Sequence, residues 1–273
     1  MNCLLLPKNS PLTLAPDNPK LEHVKSVLKL KDGDEIFAGT LGAPLQICSI
    51  RYISDGGAYL VPLRPAPQAP TIPVTLAVSY ARPQIARRIL FESACFGIEN
   101  LIFYPATKGE ADYAKSSLYT SGEWMKRMVE GAEQACASSI PSFQTASSLE
   151  DAIERAVEIS PADSLRAAPD LYEATSNYAD FLKAGAERPH CILAFGSERG
   201  FANSDRLLLR EKSFELVSLG ERVLRTDTAI MAAMAIFSAL NPCKGQSKDF
   251  DIDNGKESNR NRRWHKRLAR QSN

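Results

Sequence analysis

Phe214-Glu215-Leu216-Val217-Ser218-Leu219-Gly220-Glu221-Arg222-Val223-Leu224-Arg225-Thr226-Asp227-Thr228-Ala229 reads as a strand, a turn and the start of a helix. Residues 214–218 form a short apolar run of strand length. The loop Leu219-Gly220-Glu221-Arg222 follows, and Thr226 opens a helical stretch to residue 240, its hydroxyl suited to cap an otherwise orphaned amide. A second unit of this kind lies just upstream. Residues 192–195 make a strand, Gly196-Ser197-Glu198-Arg199-Gly200 a loop, and residues 205–212 a helix.

Working outward, residues 74–78 and 101–104 are further buried-strand candidates, and helices are expected over 85–96, 122–137 and 149–158. Strands alternating with helices predict an α/β fold with a parallel sheet. In 122–137, Met125, Met128, Val129, Ala132 and Cys136 share one helical face and are expected in the core. Residues 161–184 are expected to hold one short strand near 164–167 and then a loop. Upstream, Arg64-Pro65-Ala66-Pro67-Gln68-Ala69-Pro70-Thr71-Ile72-Pro73 marks a join, because proline stiffens the chain and removes ladder donors. The expected domains are therefore 1–69 and 70–241. The first carries β-like runs at 3–6, 35–40, 45–53 and 58–63, one helix at 19–28, and turn signals at Asp32-Gly33-Asp34 and Asp55-Gly56-Gly57. It reads as a small β-barrel.

The charge balance, 33 Lys plus Arg against 32 Asp plus Glu, says nothing about partners, but its distribution does. Lys256, Arg260, Arg262, Arg263, Lys266, Arg267 and Arg270 face one acid, Glu257, in a stretch too poor in apolar residues to fold alone. Residues 242–273 are read as a flexible basic tail. The N-terminus lacks the pattern of a signal peptide, and the most apolar window, 229–240, falls short of the roughly 20 residues a bilayer span needs. A cytoplasmic protein with no membrane contact is expected. The six cysteines and three histidines are scattered, so neither a metal site nor a Cys/His nucleophile has support. Without GxGxxG or a Walker loop, dinucleotide binding and phosphoryl transfer lose their usual signatures.

In open parallel sheets, ligands bind beyond the carboxyl ends of strands. Two glycine loops there can cradle an adenine and ribose through main-chain groups, or can simply be turns. Arg222 and Arg225 precede a helix N-terminus, a combination that favours an anion or an electron-rich ring. Alternatively they pair with Glu198, Glu221 or Asp227. Arg82, Arg87 and Arg88 spread around the start of another helix, as solvated surface or as RNA phosphate contacts. Arg88 and Glu92 are spaced for an i,i+4 pair.

The run from Leu219 to Ala229 resembles the Leu-Gly-x-Arg-Ile/Val-Leu-Arg-x-Glu-Thr-Ala signature of RsmE-type 16S rRNA methyltransferases of the SPOUT superfamily. Phe195-Gly196-Ser197-Glu198-Arg199-Gly200 resembles that family's Ile-Gly-Pro-Glu-Gly-Gly loop, in the same order and spacing. Arg82-Pro83-Gln84, Gly131-Ala132-Glu133-Gln134-Ala135 and the opening Asn2-Cys3-Leu4-Leu5-Leu6 resemble segments of one branch, so the likeness covers roughly residues 1 to 240. It implies a PUA-like barrel for RNA docking, a C-terminal α/β domain with a trefoil knot, a homodimer, and S-adenosylmethionine (AdoMet) as cofactor. The implied reaction is methylation of N3 of a 16S rRNA uridine within the small subunit. By position, Phe195, Gly196, Glu198, Gly200, Leu219, Gly220, Val223 and Leu224 would line the cofactor site, with Ala168 and Pro169 beside them. Arg225 would stand nearest the uracil, and Arg82, Arg87, Arg88, Arg199 and Arg222 would contact RNA.

Two departures stand out. Arg199 occupies a family glycine position, where a positive φ would cost about 1–2 kcal/mol. Asp227 replaces the family's Glu, one methylene shorter. The altered loop motivates a rival reading, a non-catalytic RNA-binding or ribosome-assembly protein of the same fold. A methyltransferase acting on another RNA is a third.

Overall fold

A computed structural model describes residues 2–68 and 70–241; the expected basic tail, with Cys243, lies outside the described residues. The chain divides into two compact units at Pro67/Gln68. The first contains β1 (Leu4–Leu6), β2 (Thr13–Leu14), α1 (Pro19–His23), β3 (Glu35–Thr40), β4 (Gln46–Tyr52) and β5 (Ala58–Pro65). Its strands pair in the order β1-β3-β4-β5-β2 as a curled sheet, antiparallel except for β1 with β3. Gly56, at φ 92°, turns β4 into β5. Strand β2 escaped the sequence reading because two residues carry no periodicity. The expected single helix is α-helical only to His23 and continues as a π-helix over Val24–Leu28.

The second unit runs β6 (Ile72–Ser79), α2 (Pro83–Phe96), β7 (Ile98–Tyr104), α3 (Ser117–Thr120), α4 (Glu123–Gln134), β8 (Ser142–Thr145) and α5 (Leu149–Ile159). It continues with β9 (Leu165–Pro169), β10 (Ser176–Asn177), α6 (Tyr178–Ala184), β11 (Cys191–Phe195), α7 (Asn203–Glu211), β12 (Glu215–Ser218) and α8 (Thr226–Leu240). Seven strands form one parallel sheet in the order β10-β12-β9-β11-β6-β7-β8. The expected loop after β9 instead carries β10 and α6, which the mixed polarity of 176–184 concealed.

Alternation along the strands feeds two cores. Val74, Leu76 and Val78 of β6 and Leu193 of β11 pack with α2, α6 and α8 on one face. Ala77, Ile192 and Ala194 pack with α5 and α7 on the other. Strands buried on both faces read as the continuous apolar runs that the sequence shows. In α4, Met128 and Ala132 are fully buried as expected, Cys136 is buried beyond the helix end, Val129 is half-buried, and Met125 is exposed. Gly131 explains the rotation: a Cβ there would overlap the Phe91 carbonyl oxygen, so the closest approach of α4 to α2 is made at glycine. Met125 lies off that line.

Strand β11 is inserted between β6 and β9, and β12 is added outside β9. The three neighbours β12, β9 and β11 thus present their carboxyl ends side by side.

Candidate functional site

The loops following those three strands enclose a cavity of about 220 Å³. From the loop after β11 come Gly196, Glu198 and Gly200, with Phe195 at the strand end; from the loop after β12 come Leu219, Gly220, Val223 and Leu224. Pro169 lines it from the end of β9. Of the residues expected there, Ala168 alone is absent, because its side chain points into the core against α5 and α7. Sequence reading missed Asp170, Leu171 and Tyr172, which follow Pro169 in a stretch without glycine or charge pattern to announce it. It also missed Ser197, Phe201, Thr226 and Ala229.

The loop over residues 197–200 is a tight turn. The Gly200 amide donates to the Ser197 carbonyl at 2.8 Å, and the Ser197 hydroxyl donates to the Gly200 carbonyl at 3.2 Å. The left-handed position is held by Gly200 (φ 71°), and Arg199 is not among the residues with positive φ. The anticipated strain at Arg199 therefore does not arise. Gly220 sits at φ 123°, a conformation that only glycine adopts freely. A Cβ at Gly200 or Gly220 would meet nothing within 4 Å, so backbone at both loops faces open space.

Helix α8 begins beside the cavity. Its N-cap is Arg225, not Thr226, and no side chain caps it. Thr226 is the first helical residue and lines the cavity together with Ala229 one turn on. The sequence expectation of a Thr226 cap fails because the extended turn after Gly220 ends one residue earlier. The first amides of α8 are thus left without a side-chain acceptor, where a helix N-terminus favours negative charge.

Arg225 does not line the cavity. It stands outside it, 71% exposed, with Nε 3.5 Å from Asp227 Oδ1. Asp227 is 1% exposed; its Oδ2 accepts from Arg88 at 3.1 Å, while Oδ1 has no hydrogen-bond partner among the described residues. Arg88 therefore reaches α8 rather than pairing with Glu92. Arg222 lines the cavity and forms no ion pair among the described residues.

The remaining arginines separate into two kinds. Arg87 is braced to Glu123 by hydrogen bonds of 2.7 and 3.0 Å, tying α2 to α4, and Glu123 holds its guanidinium above the ordinary value. Arg82 and Arg199 are exposed on a small second cavity of about 60 Å³ behind the 197–199 turn, with Tyr80, Lys108 and Tyr113. Arg82 donates to the Tyr113 hydroxyl at 3.2 Å and lies 3.5 Å from Glu198. That hydrogen bond, then the Glu198 charge, raises its pKa. Arg199 pairs with Glu110 at 2.9 Å. No cluster of three or more His, Cys, Asp or Glu able to hold a metal occurs among the described residues.

Fold and cavity together define an α/β domain with an open cavity across the carboxyl ends of three adjacent parallel strands. The model of the RNA methyltransferase domain family matches residues 67–238. A ribosomal RNA small subunit methyltransferase E from Treponema pallidum is 30% identical over 221 residues, covering 80% of this chain and 81% of that protein. A ribosomal RNA small subunit methyltransferase E 1 from Borreliella burgdorferi is 25% identical over 240 residues, covering 86% and 97%. The crystal structure of a ribosomal RNA small subunit methyltransferase E from Neisseria gonorrhoeae bound to S-adenosyl methionine shares the fold, with a TM-score of 0.70. It is 19% identical and covers 88% of this chain and 98% of that chain. The chain belongs to the RNA methyltransferase domain family, in its ribosomal RNA small subunit methyltransferase E branch.

Proposed function

We propose that this chain is an AdoMet-dependent methyltransferase that modifies N3 of a uridine in 16S rRNA. The observation that carries the cofactor assignment is the pair of open glycines, Gly200 and Gly220, at one cavity where side chains would intrude. The cavity fits a nucleoside: main chain on two sides, apolar Leu219, Val223 and Leu224 for a flat ring, and uncapped amides at α8 for a negatively charged end. Its volume lies below the roughly 300–1,000 Å³ typical of enclosed ligand pockets, as befits a cradle open to a second surface. The Neisseria gonorrhoeae relative carries S-adenosyl methionine, and both relatives are named for the small-subunit RNA, which supports AdoMet and 16S rRNA here.

Bound AdoMet supplies an electrophilic methyl group. The chain's part is to orient and to manage charge. Uracil N3 must lose a weakly acidic proton, and Arg225, exposed outside the cavity, stabilises the negative charge that develops on the uracil oxygens. Alignment of nitrogen with the methyl carbon contributes further, since orientation alone can supply about 7–11 kcal/mol. Water takes the proton. Arg82, Arg199 and Arg222, exposed on the loops at the carboxyl edge, meet the RNA backbone, joined by the half-exposed Arg88 of α2. Arg87 contributes only by bracing α2.

Residues 1–69 serve as the RNA-docking piece, their curled sheet closing as a PUA-like barrel, and residues 70–241 as the catalytic domain with a trefoil knot. A homodimer is part of the same reading, exposed Val223 and Leu224 offering apolar surface for a second copy to cover. The site of action is the cytoplasm, and no helix of the described residues is long and apolar enough to cross a membrane.

Mass spectrometry of rRNA nucleosides from a deletion strain tests the reaction: loss of N3-methyluridine from 16S rRNA is expected. An unchanged nucleoside profile, with no AdoMet binding at millimolar concentration by calorimetry, would leave the rival RNA-binding reading.

A further inference from the structure

Asp170 immediately follows β9 and organises the loop that no motif announced. Its Oδ1 accepts from the amides of Tyr172 at 2.8 Å and Glu173 at 2.9 Å. Its Oδ2 accepts from Arg206 Nε at 2.8 Å, and the two side chains are 2% and 7% exposed. Arg206 sits in α7, the helix that opens just after the 197–200 turn. This buried ion pair, with the more exposed pairs of Glu173 to Arg206 at 3.6 Å and to Arg210 at 2.6 Å, therefore fastens the loop after β9 to the element that follows the loop after β11. Such pairs are weak evidence for stability, and fixing a geometry is the use that suits this one.

The geometry held is that of Tyr172. The Arg206 guanidinium carbon lies over its ring, 5.8 Å from the centroid, so one aromatic face is backed by a cation. Tyr172 nevertheless is 76% exposed and lines the cavity. Val223 and Leu224, from the loop after the neighbouring strand β12, line the same cavity and are also exposed. Exposed large apolar groups thus gather on two loops around one opening, with a flat aromatic surface on one of them.

Resting on the assignment of that cavity to AdoMet, we infer that Tyr172 is the stacking surface for the cofactor's purine, in a three-layer arrangement of Arg206, Tyr172 and adenine. The occupant of the slot is a purine nucleoside, which has the flat π-face the ring can cover and the ribose that the glycine loops can approach. An unpaired RNA base has the same face, and the experiment separates the two.

The test uses the full chain and S-adenosylhomocysteine, the unreactive product. In Tyr172→Trp, emission beyond that of the chain's two native tryptophans should be quenched saturably by S-adenosylhomocysteine, with a midpoint matching calorimetry. Tyr172→Ala should weaken binding roughly tenfold, within the range measured for base–aromatic stacking. Tyr172→Phe, which keeps the ring, should bind as the parent does. The site is exposed, so these variants fold, and a thermal melt confirms it. Unchanged affinity in Tyr172→Ala, or quenching only by a single-stranded RNA oligonucleotide, overturns the inference while the cavity assignment stands. If the parent itself binds neither AdoMet nor S-adenosylhomocysteine, the cavity assignment falls and takes the inference with it.

Discussion

Arg88 near the middle of α2 and Asp227 in the first turn of α8 meet at 3.1 Å across 139 residues of sequence. The acid is buried and the arginine half-exposed, so the pair fastens the first helix of the sheet domain to the last. Its aspartate is also the nearest acid to Arg225. Removing the arginine strands a buried carboxylate. Arg88→Ala should cost about 1–3 kcal/mol in urea unfolding, the usual penalty for an orphaned buried acceptor. Combining it with Asp227→Leu should recover part of that loss, and a double change worse than Arg88→Ala alone would contradict the account.

Arg225→Ala should lower the methyl-transfer rate roughly 10²–10³-fold, the range for losing one donor to a developing oxyanion. Because Arg225 lies outside the cavity, AdoMet affinity should stay within about twofold by calorimetry. A weakened cofactor with an unchanged rate constant would assign the residue to binding instead.

Gly220→Ala places a Cβ where the backbone takes φ 123° and where nothing stands within 4 Å. The strain should cost on the order of 1–2 kcal/mol. The larger effect should be on AdoMet, with affinity falling by more than tenfold as the methyl group enters the cradle. Equal losses in stability and no change in affinity would show that the open space is not used.

Glu123 accepts from Arg87 and Arg127, and these partners, Arg87 first, hold its carboxyl down to about 2 from an ordinary 4.5. A carboxyl depressed by folding stabilises the native state above the unfolded pKa, and that contribution drains away as pH falls through the folded one. Between pH 4.5 and 2 the parent's urea midpoint should therefore drop more steeply than that of Glu123→Gln. Parallel profiles would show that the pair survives in the unfolded chain.

Arg199→Gly installs the glycine of the loop that residues 195–200 resemble. Arg199 borders the large cavity as well as the small one, but its guanidinium pairs with Glu110 and Gly200 supplies the positive φ, so cofactor affinity should change little. RNA affinity should fall, and its salt dependence should lose about 0.7 in log–log slope for one single-stranded phosphate contact released. Filter binding across a salt series measures both.

Much of this was legible beforehand because it follows from residue type. The runs 74–78 and 192–195 became β6 and β11, since only strands buried on both faces need such unbroken apolarity. Gly196, Gly200 and Gly220 marked the cavity loops because their backbones leave no room for a side chain or take a positive φ. Other features depended on partners far along the chain. Arg87 and Arg88 differ by one position, yet one is fixed by Glu123 and the other by Asp227. Asp170 looks like an ordinary loop acid until Arg206 is folded against it. Met125 continues the stripe of α4 and still faces solvent, because Gly131 sets the line of contact with α2. Sheet order, which seats β9 between β11 and β12, is invisible to any local pattern.

That order also divides labour. The large cavity draws on loops after β9, β11 and β12, whereas Tyr80, Arg82, Lys108 and Tyr113 belong to segments after β6 and β7, behind the shared 197–199 turn. On the proposed reading, substitutions in the latter pair of connections would change the RNA contacts and leave the loops of the larger cavity intact. A protein of this architecture could then vary its choice of RNA one connection at a time while the three loops of the larger cavity stay as they are.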